Sequence, residues 1–248
     1  MNQIISQHGW GLDQSFWNNL KEDLIKQNWI WQDNDRGYYS DFCIKVKWMK
    51  TDSDNNKKVA LCHSLGIHLI EKEILKEASH IILINSFFNF IPTNNESNIT
   101  LRTLRRMEKK INTLEVRFML EEFISRSFMP NQVDIKFKSI FNLNSKQINL
   151  KRLLKDFQKL YFQPSTFDLF SEHAEVLIIK SKNDFILKES ASNEFINLLN
   201  NSQINKPKLV QIESQGHLID NDFVISKLKT RFNASTNQML LRHYLFRP

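Results

Sequence analysis

Glycine is scarce in this chain, five residues in 248, about a third of the usual frequency. Glycine tolerates positive φ and close backbone approach, so Gly9, Gly11, Gly37, Gly66 and Gly216 mark turns whose geometry depends on them. Cysteine is scarcer still. Cys43 and Cys62 form no metal-binding pattern, and a chain with no disulfide framework suits a reducing compartment. Long apolar runs are missing: stretches such as Ile81-Ile82-Leu83-Ile84 are far too short to span a bilayer. The opening Met1-Asn2-Gln3-Ile4-Ile5 lacks a basic stretch followed by a long apolar one, so no secretory leader is expected. His8, His63, His68, His80, His173 and His243 show no metal-ligand spacing, and there is no internal repeat or low-complexity tract. A cytoplasmic monomer with no metal, no organic cofactor and no membrane attachment is the expectation.

What is present describes a globular protein: 41% hydrophobic and 25% charged residues in a length that suits one α/β domain with an insertion. The net charge of +7 is unevenly placed. Leu101 to Leu160 holds 14 Lys and Arg against 6 Asp and Glu, so this segment carries +8 and the rest about −1. The segment has no recognised nucleic-acid-binding motif and little aromatic interleaving, so nucleic acid is not the expected partner.

Strand and helix patterns alternate along most of the chain. Ile4 to Gln7 reads as a strand, and Asp13 can cap a helix running to about Gln27, with Phe16, Trp17, Leu20, Leu24 and Ile25 on one face. Trp29-Ile30-Trp31 reads as a second strand and Asp33 to Ser40 as a turn. Phe42, Ile44, Val46 and Trp48 alternate as in a half-buried strand, and Thr51 to Lys58 reads as a loop. The spacing then predicts a strand at Val59-Ala60-Leu61, a helix over Ile67 to Leu75 and a buried strand at His80 to Asn85. Helical patterns over Leu101 to Ser127 and Leu150 to Tyr161 interrupt the rhythm. A strand at Glu175 to Lys180, a helix at Lys188 to Asn200, a strand at Lys208 to Glu213 and a helix from Phe223 restore it. The pattern argues for an α/β fold with a mostly parallel sheet flanked by helices. Residues 1–91 and 167–248 would form the core, and 92–166 a basic helical lid.

The chemistry concentrates at Cys62-His63-Ser64-Leu65-Gly66, between the Val59–Leu61 strand and a helical pattern. A serine on a sharp strand-to-helix turn is a nucleophile elbow, which lifts the hydroxyl clear of the sheet. In chain order Ser64 is followed by Asp184, just past the Glu175–Lys180 strand, and by His217, just past the last strand. The expected roles are nucleophile for Ser64, general base and then acid for His217, and orientation of the imidazole for Asp184. The oxyanion would be held by the backbone N–H groups of Leu65 and of Trp10, in the loop after the first strand.

With these loops read, the chain resembles the α/β-hydrolase superfamily, and more narrowly the pimeloyl-[acyl-carrier protein] methyl ester esterases of biotin synthesis. His8-Gly9-Trp10-Gly11-Leu12 followed by Phe16-Trp17 is similar to that group's H-G-W-G-L…W opening, and Ser64-Leu65-Gly66 to part of its elbow. Val116-Arg117-Phe118-Met119-Leu120 resembles its R-F-L segment, and Asn183-Asp184 and Gly216-His217 its acid and base loops. Departures are Cys62 and Ile67 where the group has glycine, a single Gly37 in the loop after the second strand, and no helix before the elbow strand. The chain also starts at the strand carrying the oxyanion loop, so a trimmed version without the usual hairpin is expected.

The resemblance implies a serine carboxylesterase that cleaves the methyl ester of pimeloyl-acyl carrier protein. A general small-ester or thioester hydrolase, or a non-catalytic protein that binds an acidic partner, are the alternatives. Arg102, Arg105, Arg106, Lys109 and Lys110 place several like charges on one helical face, with Arg117 two turns further on. Like charges so close repel, so they are expected to meet an anionic partner, and acyl carrier proteins are acidic. With Phe118, these arginines are the candidate contacts for substrate or carrier protein, and Phe118, Phe123 and Phe128 are candidates to line the path of an ester entering between lid and sheet.

Overall fold

The computed structural model describes residues 1–50, 56–133, 137–138, 141–164, 167–219, 224 and 226. Six strands form one all-parallel sheet: β1 (Gln3–Gln7), β2 (Ile30–Asp33), β3 (Lys58–His63), β4 (His80–Ile84), β5 (Glu175–Ser181) and β6 (Lys208–Ile212), in the order β2-β1-β3-β4-β5-β6. The α-helices that lie wholly within the described residues are α1 (Asn18–Ile25), α2 (Lys72–Glu77), α3 (Ser97–Ile111), α4 (Val116–Phe128), α5 (Leu150–Phe157) and α6 (Glu189–Ser202).

Side chains alternate across a strand, so the central strands feed two cores. Ile4, Leu61, Ile82, Ile84, Leu177 and Ile179 face one way, packed on Phe16, Trp17, Leu20 and Leu24 at α1. Ile5, Ala60, Cys62, Ile81, Leu83, Val176 and Ile178 face the other way, against Ile74 of α2 and Phe195 and Leu199 of α6. Both faces are covered, which explains near-continuous apolar strands such as Ile81-Ile82-Leu83-Ile84. The Asp13 carboxylate accepts from Ser15 N at 3.0 Å and caps a short 3-10 turn, Gln14–Trp17, that leads into α1.

The segment Phe42 to Trp48 is not a strand, and its physical constraint is topological. Gln3 of β1 pairs with both Ile30 of β2 and Lys58 of β3, all parallel, so the chain must return the length of the sheet between Asp33 and Lys58. The segment makes part of that return as extended coil held by side chains. Gln32 Nε2 donates to Lys47 O at 3.0 Å and Met49 N donates to the Gln3 side-chain oxygen at 2.8 Å. Trp48 is buried on the α2 side, its indole donating to Ile74 O at 3.0 Å, while Phe42 is 80% exposed. Among the described residues no helix joins β2 to β3.

The expected helix after the elbow is split into a 3-10 turn, Ser64–His68, and the short α2. The long helical pattern beyond Leu101 is two helices, α3 and α4. With α5 they make a helical insertion between β4 and β5, packed with Trp10, Tyr38 and Leu65 in a third core. Of the Thr51 to Lys58 loop, residues 51–55 lie outside the described residues. So does most of the segment after Phe223, of which Val224 and Ser226 are helical.

Candidate active site

The chain turns at Ser64 from β3 into the 3-10 segment Ser64–His68. Ser64 follows β3 directly, with φ of +53°. A left-handed conformation is unusual for a residue with a side chain and is found where surrounding structure enforces it. Gly66 is required for contact: a Cβ there would lie 2.6 Å from Gln7 O. At the position where a small residue is expected, Cys62 is fully buried in the core on the α2 side.

Asp184 and His217 converge on Ser64. Asp184 Oδ1 accepts from Ile186 N and Leu187 N, both at 2.8 Å, which leaves Oδ2 facing the imidazole. His217 Nδ1 donates to Asp184 Oδ2 at 2.6 Å, and the Ser64 hydroxyl donates to His217 Nε2 at 2.8 Å. The carboxylate can only accept, so it fixes the proton on Nδ1 and leaves Nε2 as the base toward Ser64. His217 is 1% exposed and Ser64 8%, so the relay sits in surroundings where its hydrogen bonds are strong. Among the described residues no cluster of His, Cys, Asp and Glu could hold a metal ion.

The loop after β1 passes directly over the elbow. A Cβ on Gly9 would lie 3.1 Å from Ser64 Cβ and 2.7 Å from His63 Nδ1. Leu65 is in the first turn of the 3-10 segment, where leading N–H groups have no acceptor within the helix. Trp10 is buried, and its indole donates to Leu153 O at 2.8 Å while its ring packs on Phe123 and Phe157. The side chains that meet Gly11 are Leu120 and Phe123 of α4. Phe123 is one of the lid residues expected between lid and sheet, while Leu120 is not among them.

The basic residues separate into two groups. Arg102, Arg105, Arg106 and Lys109 are exposed on α3. Arg117 does not join them: its guanidinium donates to Leu143 O and to Lys146 O, the latter at 2.6 Å. Arg152 and Lys159 likewise hold carbonyls, at Gly37 O (3.0 Å) and His68 O (2.8 Å). Phe118 is 64% exposed, with Lys110 Nζ 5.8 Å above its ring. Phe118 is not among the residues of the core that contains Leu120.

Two histidines near the elbow are neutral in the fold. Burial pushes His63 well below its usual range. Burial is also the largest effect on His68, held down to about 4 although its Nε2 donates to Phe87 O at 2.9 Å. A histidine with a depressed folded value binds its proton first in the unfolded chain. The stability it contributes is therefore present above about pH 6.5 and lost as pH falls toward 4, up to roughly 3 kcal/mol for a shift of this size. Urea unfolding at pH 7.5 and pH 5 should show that loss, and His68→Gln should shrink it. An equal loss in the variant would rule His68 out as a source.

No protein-family model matches the chain, and no curated protein matches it. Solved structures do. An esterase from Exiguobacterium antarcticum is similar with a TM-score of 0.64 at 14% identity, over 96% of this chain and 92% of that one. A bromoperoxidase from Bacillus anthracis is similar with a TM-score of 0.66 at 13% identity, over 94% and 92%. MGS-M2, an α/β-hydrolase enzyme from a Medee basin deep-sea metagenome library, is similar with a TM-score of 0.61 at 12% identity, over 96% and 92%. Those likenesses extend over nearly the whole of each chain, and with the all-parallel sheet flanked by helices they show the fold: the chain has the α/β-hydrolase fold.

Proposed function

We propose that this chain is a serine ester hydrolase that forms an acyl-enzyme on Ser64. The observation that carries the reading is the unbroken relay, with 2.8 Å between Ser64 Oγ and His217 Nε2 and 2.6 Å between His217 Nδ1 and Asp184 Oδ2. Ser64 Oγ attacks the ester carbonyl as its proton passes to His217 Nε2. The tetrahedral oxyanion is held by the N–H groups of Leu65 and Trp10. Collapse breaks the bond to the alcohol, which leaves with the proton from His217. Water then gives a proton to His217, attacks the acyl carbonyl and restores Ser64, releasing the acid. The helical insertion acts as the lid, since Leu120 and Phe123 cover the Gly11 turn.

The substrate we propose is the methyl ester of pimeloyl-acyl carrier protein, hydrolysed to methanol and the free carboxylate. Two features support it: the His8-Gly9-Trp10-Gly11-Leu12 opening and the exposed basic face of α3, to which an acidic carrier protein would dock. Mass spectrometry of that ester after incubation with the protein tests it directly. Loss of the methyl group is the expected result. An intact methyl ester beside a cleaved p-nitrophenyl ester would replace this substrate with a general small ester or thioester. No cleavage of either would leave a protein that binds an acidic partner on a hydrolase scaffold.

The docking face has its own test, and Arg117 is left out of it because its guanidinium fastens the insertion internally. Arg105→Glu with Arg106→Glu should lower kcat/KM for the carrier-bound ester by about tenfold at low salt, and less at high salt, where exposed charges are screened. Turnover of a small neutral ester should be unchanged. Equal loss on both substrates would sink the docking proposal.

A further inference from the structure

Two buried side chains outside the relay converge on the backbone of His217. Asn85 follows β4 with φ of +44°, a left-handed conformation that asparagine tolerates better than most residues. Its Oδ1 accepts from Ser181 N at 2.7 Å, which turns Nδ2 toward the base loop, where it donates to His217 O at 2.8 Å. From the other side His63 Nε2 donates to the same carbonyl at 3.0 Å. Ser181 Oγ accepts from Asn85 Nδ2 at 3.1 Å and donates to Gly216 O at 2.6 Å, which ties the preceding residue as well. Asn85, Ser181 and His63 are at most 3% exposed.

We infer that Asn85 and His63 form a positioning clamp: two N–H donors from the ends of β4 and β3 hold one carbonyl, His217 O, and so fix the imidazole between Asp184 and Ser64. The base loop needs such a device. It follows β6, an edge strand of the sheet, and it holds the relay member that is not at the end of a central strand. Each donor reports on a different neighbour. His63 is covalently next to Ser64, so its bond sets the distance from loop to nucleophile. Asn85 is bonded to Ser181 on β5, three residues before Asp184, so its bond sets the distance from loop to acid. A carbonyl that accepts two donors is fully satisfied, and either donor removed leaves it buried with one.

His63 has a second feature that fits this role. Its Nδ1 has no hydrogen-bond partner among the described residues and faces Gly9. The Nε2 contact is thus its single polar bond, and it is spent on His217 O. A purely space-filling residue at this position would be apolar.

The kinetic arm of the test rests on the ester-hydrolase reading, and the spectroscopic arm does not. Asn85→Ala and His63→Leu each remove one donor, while His63→Gln keeps an N–H near the position of Nε2. Loss of positioning of this kind costs on the order of 10²-fold in rate, so kcat for a small ester should fall by about that factor in Asn85→Ala and His63→Leu, with KM little changed. His63→Gln should recover most of kcat. In the absence of substrate, the downfield proton resonance of the His217–Asp184 hydrogen bond should broaden or vanish in both donor-removing variants and persist in His63→Gln and Ser64→Ala. Unchanged kcat in Asn85→Ala and His63→Leu, or a sharp resonance in both, would overturn the clamp. A resonance that depends on Asn85 in a protein inactive on every ester would support the clamp and overturn the hydrolase reading instead. If Asn85→Ala does not fold, the comparison of His63→Leu with His63→Gln decides the matter alone.

Discussion

Ser64→Ala is expected to lower kcat for ester hydrolysis by about 10⁴- to 10⁶-fold, the range seen when a nucleophile is removed from a working relay. The acyl-enzyme cannot form without Oγ, and the Leu65 and Trp10 N–H groups alone cannot replace it. The variant has a structural cost that must be separated from the chemical one. Ser64 has φ of +53°, and alanine has no side-chain hydrogen bond to support that conformation. Ser64→Gly removes the same hydroxyl while suiting the backbone. Both variants should therefore be equally inactive, and the glycine variant at least as stable as the alanine one on thermal unfolding. Hydrolysis retained in either folded variant would remove Ser64 from the reaction.

The positions of Ser64, Asp184 and His217 could be read from the sequence because each lies beyond a strand, with near-continuous apolar patterns in β3 and β5 and a weaker one in β6. A parallel sheet puts those strand ends on one edge, so three residues far apart in sequence meet without any long-range information. The clamp was not legible. Asn85 and His63 are ordinary residues at strand ends, and their role depends on which carbonyl a loop from β6 presents to them. The Phe42 to Trp48 alternation misled for a similar reason. Its periodicity records only that Trp48 is buried and its neighbours less so, while the need to return between parallel strands decides the backbone. The charge of the insertion was legible as a sum and not in its parts. Arg117, Arg152 and Lys159 spend their charge on carbonyls of other segments, and only contacts can separate them from the exposed Arg105 and Arg106 of α3.

Asp156→Ala is expected to destabilise the fold by about 3–5 kcal/mol, the cost of leaving a buried charge unpaired. Asp156 is fully buried on α5, within the third core. Its carboxylate accepts two bonds from Arg36, at 2.7 Å from Nε and 2.8 Å from Nη2, and a third from the Tyr38 hydroxyl at 2.9 Å. Bidentate geometry with a further donor is the arrangement in which a buried pair recovers its desolvation cost. Arg36 and Tyr38 belong to the loop after β2, so this one carboxylate fastens the insertion to the sheet. Trp10, whose indole is held by Leu153 three residues earlier on the same helix, depends on that fastening. The loss of stability should thus come with a fall in kcat, because the Trp10 loop loses its anchor. Tyr38→Phe removes one bond to the carboxylate and keeps the ion pair, so it should cost less, about 1.5–3 kcal/mol. Urea unfolding of the two variants measures the difference. Equal small losses would mean that the insertion is held by its apolar contacts and that the buried carboxylate contributes little.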